Sequence, residues 1–253
     1  MHVARSIALA AVLALPTAAL AQPERIQPGT PLDTTFIAPR TDSVAILEGR
    51  EGDTLVVGYG VMETRTHVVD GVRRVVHVQR LFIEGYPDAF VADSAHLHWS
   101  TLLPISAHTR GDTPHDLHFG PGNVRVTALP RSDDFDPADF DSTTDRDSTT
   151  SEVALAEPVF YVVVDLLLRA LPLRTGYRAV LPVVTDYGEL SEMRVTVTGE
   201  ETARALDGAA CPVLVVEVEE ENYGGTFRIS PVNRAIIRFD NEYSTLVRPA
   251  GCP

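Results

Sequence analysis

The chain has 253 residues, 44% of them apolar and 22% charged, and carries a formal net charge of −14. Those shares suit a soluble globular protein, while the excess of acids argues against nucleic-acid phosphates and anionic lipid headgroups as partners. All 21 basic residues are Arg and none is Lys, which excludes a lysine Schiff base and a P-loop.

In chain order, Arg5 precedes an apolar run from Ile7 to Leu15, Pro16 breaks it, and Ala19-Leu20-Ala21 follows. A charged start, a short apolar core and an A-x-A site predict a signal peptide over residues 1–21, cleaved near Ala21. The run is too short for a span, which takes roughly 20 apolar residues. The expected mature chain is therefore periplasmic or secreted, with no transmembrane segment. Residues 22–43 hold four prolines and read as an extended or mobile arm.

From residue 44 to the C-terminus the pattern predicts one domain. Leu55, Val57, Tyr59 and Val61 alternate at the strand period. Asp70-Gly71 between two long β-rich runs marks a hairpin, with the return strand running from Val72 to Ile83. Shorter strands follow around His96–Leu103, Ile105–Thr109, Asp116–Phe119 and Val124–Leu129. Residues 132–152 contain eight acids and few apolar side chains, and so predict a solvated, disordered loop. The stretch from Pro158 to Pro172 predicts a helix bounded by its prolines. Asp165 and Arg169 share one face at i,i+4, and the apolar remainder requires protein nearly all round it. Its β-branched run would also suit a buried strand. The last third alternates again, as in Val216 and Val218 against Glu217 and Glu219. About a dozen strands joined by short turns must pair antiparallel. The fold class expected is mainly β: an antiparallel curved sheet or half-barrel wrapped around one buried helix.

Cys211 and Cys252 are an even pair, a disulfide candidate in an oxidising compartment; two free thiols are the alternative. A bridge would close a loop of about 40 residues, worth roughly 4 kcal/mol in the chain-entropy account.

No catalytic constellation stands out. His96-x-His98 on a strand would place two imidazoles on one face, as a zinc pair requires, with His108, His115 and His118 nearby in sequence. Solvated histidines on an exposed face explain the same pattern, and a zinc-dependent extracytoplasmic hydrolase is the weakest reading. The aspartates of the acidic loop lack the spacing of a calcium loop. Asp33-Thr34-Thr35 lacks the glycine of an aspartic protease, and Ser94 and Ser106 lack a nucleophile elbow. The expectation is no catalytic residue, no metal and no cofactor.

The C-terminal half resembles a family of uncharacterised bacterial envelope proteins, a domain of unknown function related in architecture to the lipoprotein carriers LolA and LolB. The matching features are the apolar helix before Leu171-Pro172-Leu173 with Gly176, the strand end Val197-Thr198-Gly199-Glu200, the turn Asp207-Gly208, and Ile229-Ser230-Pro231 with Arg234. They fall within roughly residues 155–248, with a looser echo in the long N-terminal strands. Where the family often carries Trp before the Ile, this chain has Arg228, with Phe227 beside it. The resemblance implies an open half-barrel whose concave apolar face holds acyl chains. It brings no catalytic residue. A lipophilic ligand would then be lined by Val159, Phe160, Val163, Leu167 and Leu171, in a cavity that exists only if the helix leaves a gap. The expected partner is a lipophilic small molecule or an envelope protein, and no nucleic acid. A non-catalytic envelope scaffold or interaction module is the alternative function.

Overall fold

The computed structural model describes residues 22–48, 55–85, 91–110, 114–129, 148–221 and 223–252. The predicted signal peptide lies outside them, as does most of the acidic loop. Among the described residues the strands are β1 (Glu24–Arg25), β2 (Arg40–Glu48), β3 (Leu55–Val69), β4 (Val72–Ile83), β5 (Val91–His98), β6 (Pro104–Arg110), β7 (His115–Gly120) and β8 (Asn123–Ala128). Then come β9 (Thr149–Ala154), β10 (Phe160–Tyr161), the helix α1 (Val164–Ala170), β11 (Arg178–Val184), β12 (Leu190–Arg204), β13 (Ala210–Glu220), β14 (Tyr223–Ile229), β15 (Ile236–Asp240) and β16 (Thr245–Val247).

They form one open sheet in the order β1-β11-β12-β13-β14-β15-β16-β2-β3-β4-β5-β6-β7-β8-β9, with β10 pairing β11 beside this path. Nearly every pairing joins sequence neighbours, because short turns force antiparallel partners. Two joints are long-range: β1 against β11, and β16 against β2, where Leu246 faces Ile46 across the ladder and the C-terminal strands are welded to the N-terminal ones. At the tip of the β3–β4 hairpin both Asp70 and Gly71 take positive φ, 51° and 77°. That is the twisted turn such a dipeptide favours.

The sheet curls around α1. All seven residues of the helix are buried, and its leucines belong to a core that runs from β3 and β5 through β8 to β11–β14. A helix of seven residues is too short to persist alone in water, so the enclosing strands hold it. The helix begins later than the sequence predicts. Phe160 and Tyr161 pair in parallel with Val183 and Val184 as β10, the outcome the β-branched and aromatic composition of Val159–Val163 favours.

Two other expectations need correction. Residues 22–43, read as an extended or mobile arm, pack against the sheet, and Arg40–Ser43 already belong to β2. β1 pairs in parallel with β11, Ile26 and Ile37 are buried in the core, and the Leu32 N–H donates to the Ser100 carbonyl at 2.8 Å. Two buried isoleucines outweigh the proline signal, so the segment laces β11 to the turn after β5. In the acidic segment, Thr149–Glu152 belong to β9 and pair with β8; threonine favours strand even where the surface is polar. Near this open side the turn after β11 comes down on β8. A Cβ added to Gly188 would lie 2.4 Å from Val126 Cγ2, and Gly188 has φ of +81°, so glycine alone permits that close approach.

Candidate functional site

Helix α1 presents its two charged side chains to the inner faces of β2–β4. Asp165 and Arg169 lie one turn apart, and Arg169 is 1% exposed, the largest fully buried side chain among the described residues. Its Nη2 donates to Asp165 Oδ2 at 2.9 Å and to Asp42 Oδ2 at 3.2 Å, and its Nη1 to Thr64 Oγ1 at 3.2 Å. Asp42 is also gripped by Arg40, whose Nη2 donates to Oδ1 at 2.7 Å. His77 completes the cluster: Nδ1 sits 3.2 Å from Thr64 Oγ1, and Nε2 lies 3.1 Å from Asp165 Oδ1, off the line of a straight hydrogen bond. Burial alone would raise the Asp165 carboxyl, but His77 and Arg169 together hold it well below the usual carboxylate range. Burial likewise lowers Arg169, against the pull of Asp165 and Asp42.

Beside this cluster, between α1 and the sheet, lies a cavity of about 620 Å³, within the range typical of small-molecule sites. Val44, Met62, Phe227, Ile236, Phe239 and Leu246 supply apolar walls, and Val163 and Val164 the helix side. Asp93, Asp186 and Tyr161 also line it, along with His77 and Asp165. Asp93 lies in phase with the buried Ala95 and Leu97 on β5, so the strand period turns it inward. Its Oδ1 is cut off from solvent without a hydrogen-bond partner. Burial first, and then the charge of Asp186, push the Asp93 carboxyl up to about 7, with the Thr109 hydroxyl pulling weakly the other way without completing a hydrogen bond. Asp186 is itself raised by burial. Burial and the Asp93 charge raise the Tyr161 phenol, so it stays neutral and able to donate.

The residues predicted to line a ligand separate. Val163 lines the cavity. Val159 borders a separate recess that also holds Arg25, Glu157 and Glu192, where Arg25 pairs with both acids at 2.6 Å. Phe160, Leu167 and Leu171 are at most 2% exposed and lie in the packed core. Cys211 and Cys252 are joined, with their Cα atoms 5.4 Å apart. His96 stands on the face opposite Ala95 and Leu97, with ring centroids 6.2 Å from His67 and from His108; His108 is 6.0 Å from His118. His115 instead meets Tyr187 edge-on at 5.2 Å. Among the described residues no group of three or more His, Cys, Asp or Glu side chains is placed to hold a metal ion. Sequence reasoning missed Asp93, Asp186, His77 and Asp42. Asp93, Asp42 and His77 carry a local signal, each a polar side chain in phase with inward-facing apolar residues of its strand.

The architecture is thus that of an open, curved antiparallel sheet enclosing a helix and an acid-bearing cavity. By sequence, residues 50–244 match the family described as protein of unknown function DUF3108, and the chain belongs to that family. No curated protein matches it. Among solved structures, it is similar to a beta-barrel-like protein of domain of unknown function DUF1849 from Brucella abortus, at 11% identity and a TM-score of 0.45, covering 84% of this chain and 97% of that one. Among the described residues no helix is long and apolar enough to cross a membrane.

Proposed function

We propose that the protein is a non-enzymatic binder of a lipophilic molecule in the cell envelope, with the cavity beside α1 as its site. The observation that carries this reading is an apolar-walled space of about 620 Å³ next to a helix that is otherwise fully packed. A half-barrel filled completely by its plug would leave no such space. The disulfide supports an oxidising compartment, and the LolA/LolB-like resemblance supports a carrier architecture. Both ring nitrogens of His77 face Thr64 or Asp165, which leaves neither directed at a substrate as a base would be. Its role is to brace the helix.

Native mass spectrometry of protein purified without detergent tests the reading. A bound apolar molecule, released on unfolding, is the expected result. A mass equal to the bare polypeptide, together with no uptake of added long-chain alcohol, would refute it.

A further inference from the structure

The cavity's charge is one-sided. Among its described lining residues are Asp93, Asp165 and Asp186, while His77 is the sole basic side chain among them and no described Arg takes part. Asp165 is already answered by Arg169 and His77. Asp93 is not: Oδ1 is buried without a hydrogen-bond partner, in a wall of apolar, acidic and neutral polar side chains such as Gln79, Ser94 and Tyr161. A buried carboxylate without a partner is costly, and a cation that reaches it recovers much of that cost. A metal ion would need several converging oxygens, and no such group exists among the described residues. An ammonium head needs only one or two carboxylates, and its hydrocarbon body would lie along Val44, Met62, Phe227 and Phe239.

Resting on the reading of this cavity as a lipophilic site, we propose that its ligands are lipophilic amines, whose cationic head pairs with Asp93 with support from Asp186. The groups facing Asp93 are few. Across the ladders it meets Gln79 on β4 and Thr109 on β6. Asp186 after β11 is close enough for its charge to act on Asp93, and the charge of Asp93 acts in turn on the Tyr161 phenol of β10. His115 acts on the Asp186 carboxyl rather than on Asp93. Because the cation binds the ionised carboxylate, affinity should rise with pH through about 7, where Asp93 loses its proton.

The test compares three probes of equal chain length at submicellar concentration: dodecyltrimethylammonium, whose charge is independent of pH, 1-dodecanol and dodecanoate. The cation should bind at least tenfold more tightly than the alcohol at pH 8, and dodecanoate should bind worst. The preference should shrink about tenfold or more by pH 5.5. Asp93→Asn should abolish both the preference and its pH dependence while leaving alcohol binding intact, and Asp93→Glu should restore the preference. Equal binding of alcohol and cation, or a preference that survives Asp93→Asn, would overturn the amine assignment and leave the lipophilic cavity standing. Binding of none of the three would overturn both.

Discussion

Of the three aspartates beside the cavity, Asp165 and Asp93 have opposite fates, set by what faces each. Asp165 is ringed by donors and stays ionised, and its depressed carboxyl adds stability above the ordinary value of about 4, fading as pH falls below it toward the folded value. Asp165→Asn removes the closer of the two carboxylates that pair with Arg169, leaving it only the Asp42 that it shares with Arg40. We expect it to cost about 3–5 kcal/mol at pH 7 by urea unfolding, as breaking a buried pair from one side does. Asp93 works the other way. Its folded-state carboxyl, raised from 3.8 to about 7, keeps a proton that the unfolded chain gives up, so stability falls as pH rises from about 4 to about 7 and then levels off. Removing that titration with Asp93→Asn should stabilise the protein at pH 8 by about 2–4 kcal/mol, at 1.36 kcal/mol per pH unit, and change little at pH 4. Denaturant midpoints of the two variants across this range check both signs. Wild-type stability that is flat from pH 4 to 8, or a less stable Asp93→Asn at pH 8, would contradict the assignment.

At the scale of elements, what was legible followed local chemistry. The β3–β4 hairpin lies between the residues its turn dipeptide indicates, and Val216 and Val218 are buried against exposed Glu217 and Glu219, as strict alternation demands. The helix was legible in its burial but not in its start, because the same β-branched residues that seal a core also extend a strand. The arm was misread for a different reason: Ile26 and Ile37 are isolated apolar residues, and isolated residues show no periodicity until their receiving surface exists. The site was least legible. Asp42, Thr64 and His77 come from three different strands to meet a helix some hundred residues further on, and no spacing within the chain announces that meeting. Asp93, like Asp42 and His77, breaks its strand's pattern of inward-facing apolar side chains, and buried polar exceptions of that kind are where a functional site is first sought.

For the whole molecule, closure depends on long-range joints. β16 pairs with β2, and a few residues later the Cys211–Cys252 bridge fastens the C-terminus back to β13 across 41 residues of chain. Without it the tail after β16 is held by few bonds, among them Leu206 N–H to the Arg248 carbonyl at 2.9 Å. The double variant Cys211→Ser, Cys252→Ser should lose roughly 2–4 kcal/mol in thermal or denaturant unfolding. Hydrogen exchange should quicken first in β15 and β16, where the seam between the two halves lies; unchanged exchange there would place the seam's strength elsewhere.

The sheet, its enclosed helix and the β16–β2 seam together frame one space, and the proposed function requires that space to be a binding site. The most direct measurement is a titration with the fluorescent apolar probe N-phenyl-1-naphthylamine, using the wild-type protein and Ala95→Phe. Ala95 is buried on the cavity wall, so a phenyl ring there would project into the cavity and obstruct it. The account predicts saturable binding of one probe per wild-type chain and its loss in the folded variant, with a melting temperature near wild type. Probe binding that does not saturate, or that Ala95→Phe leaves unchanged, would contradict it.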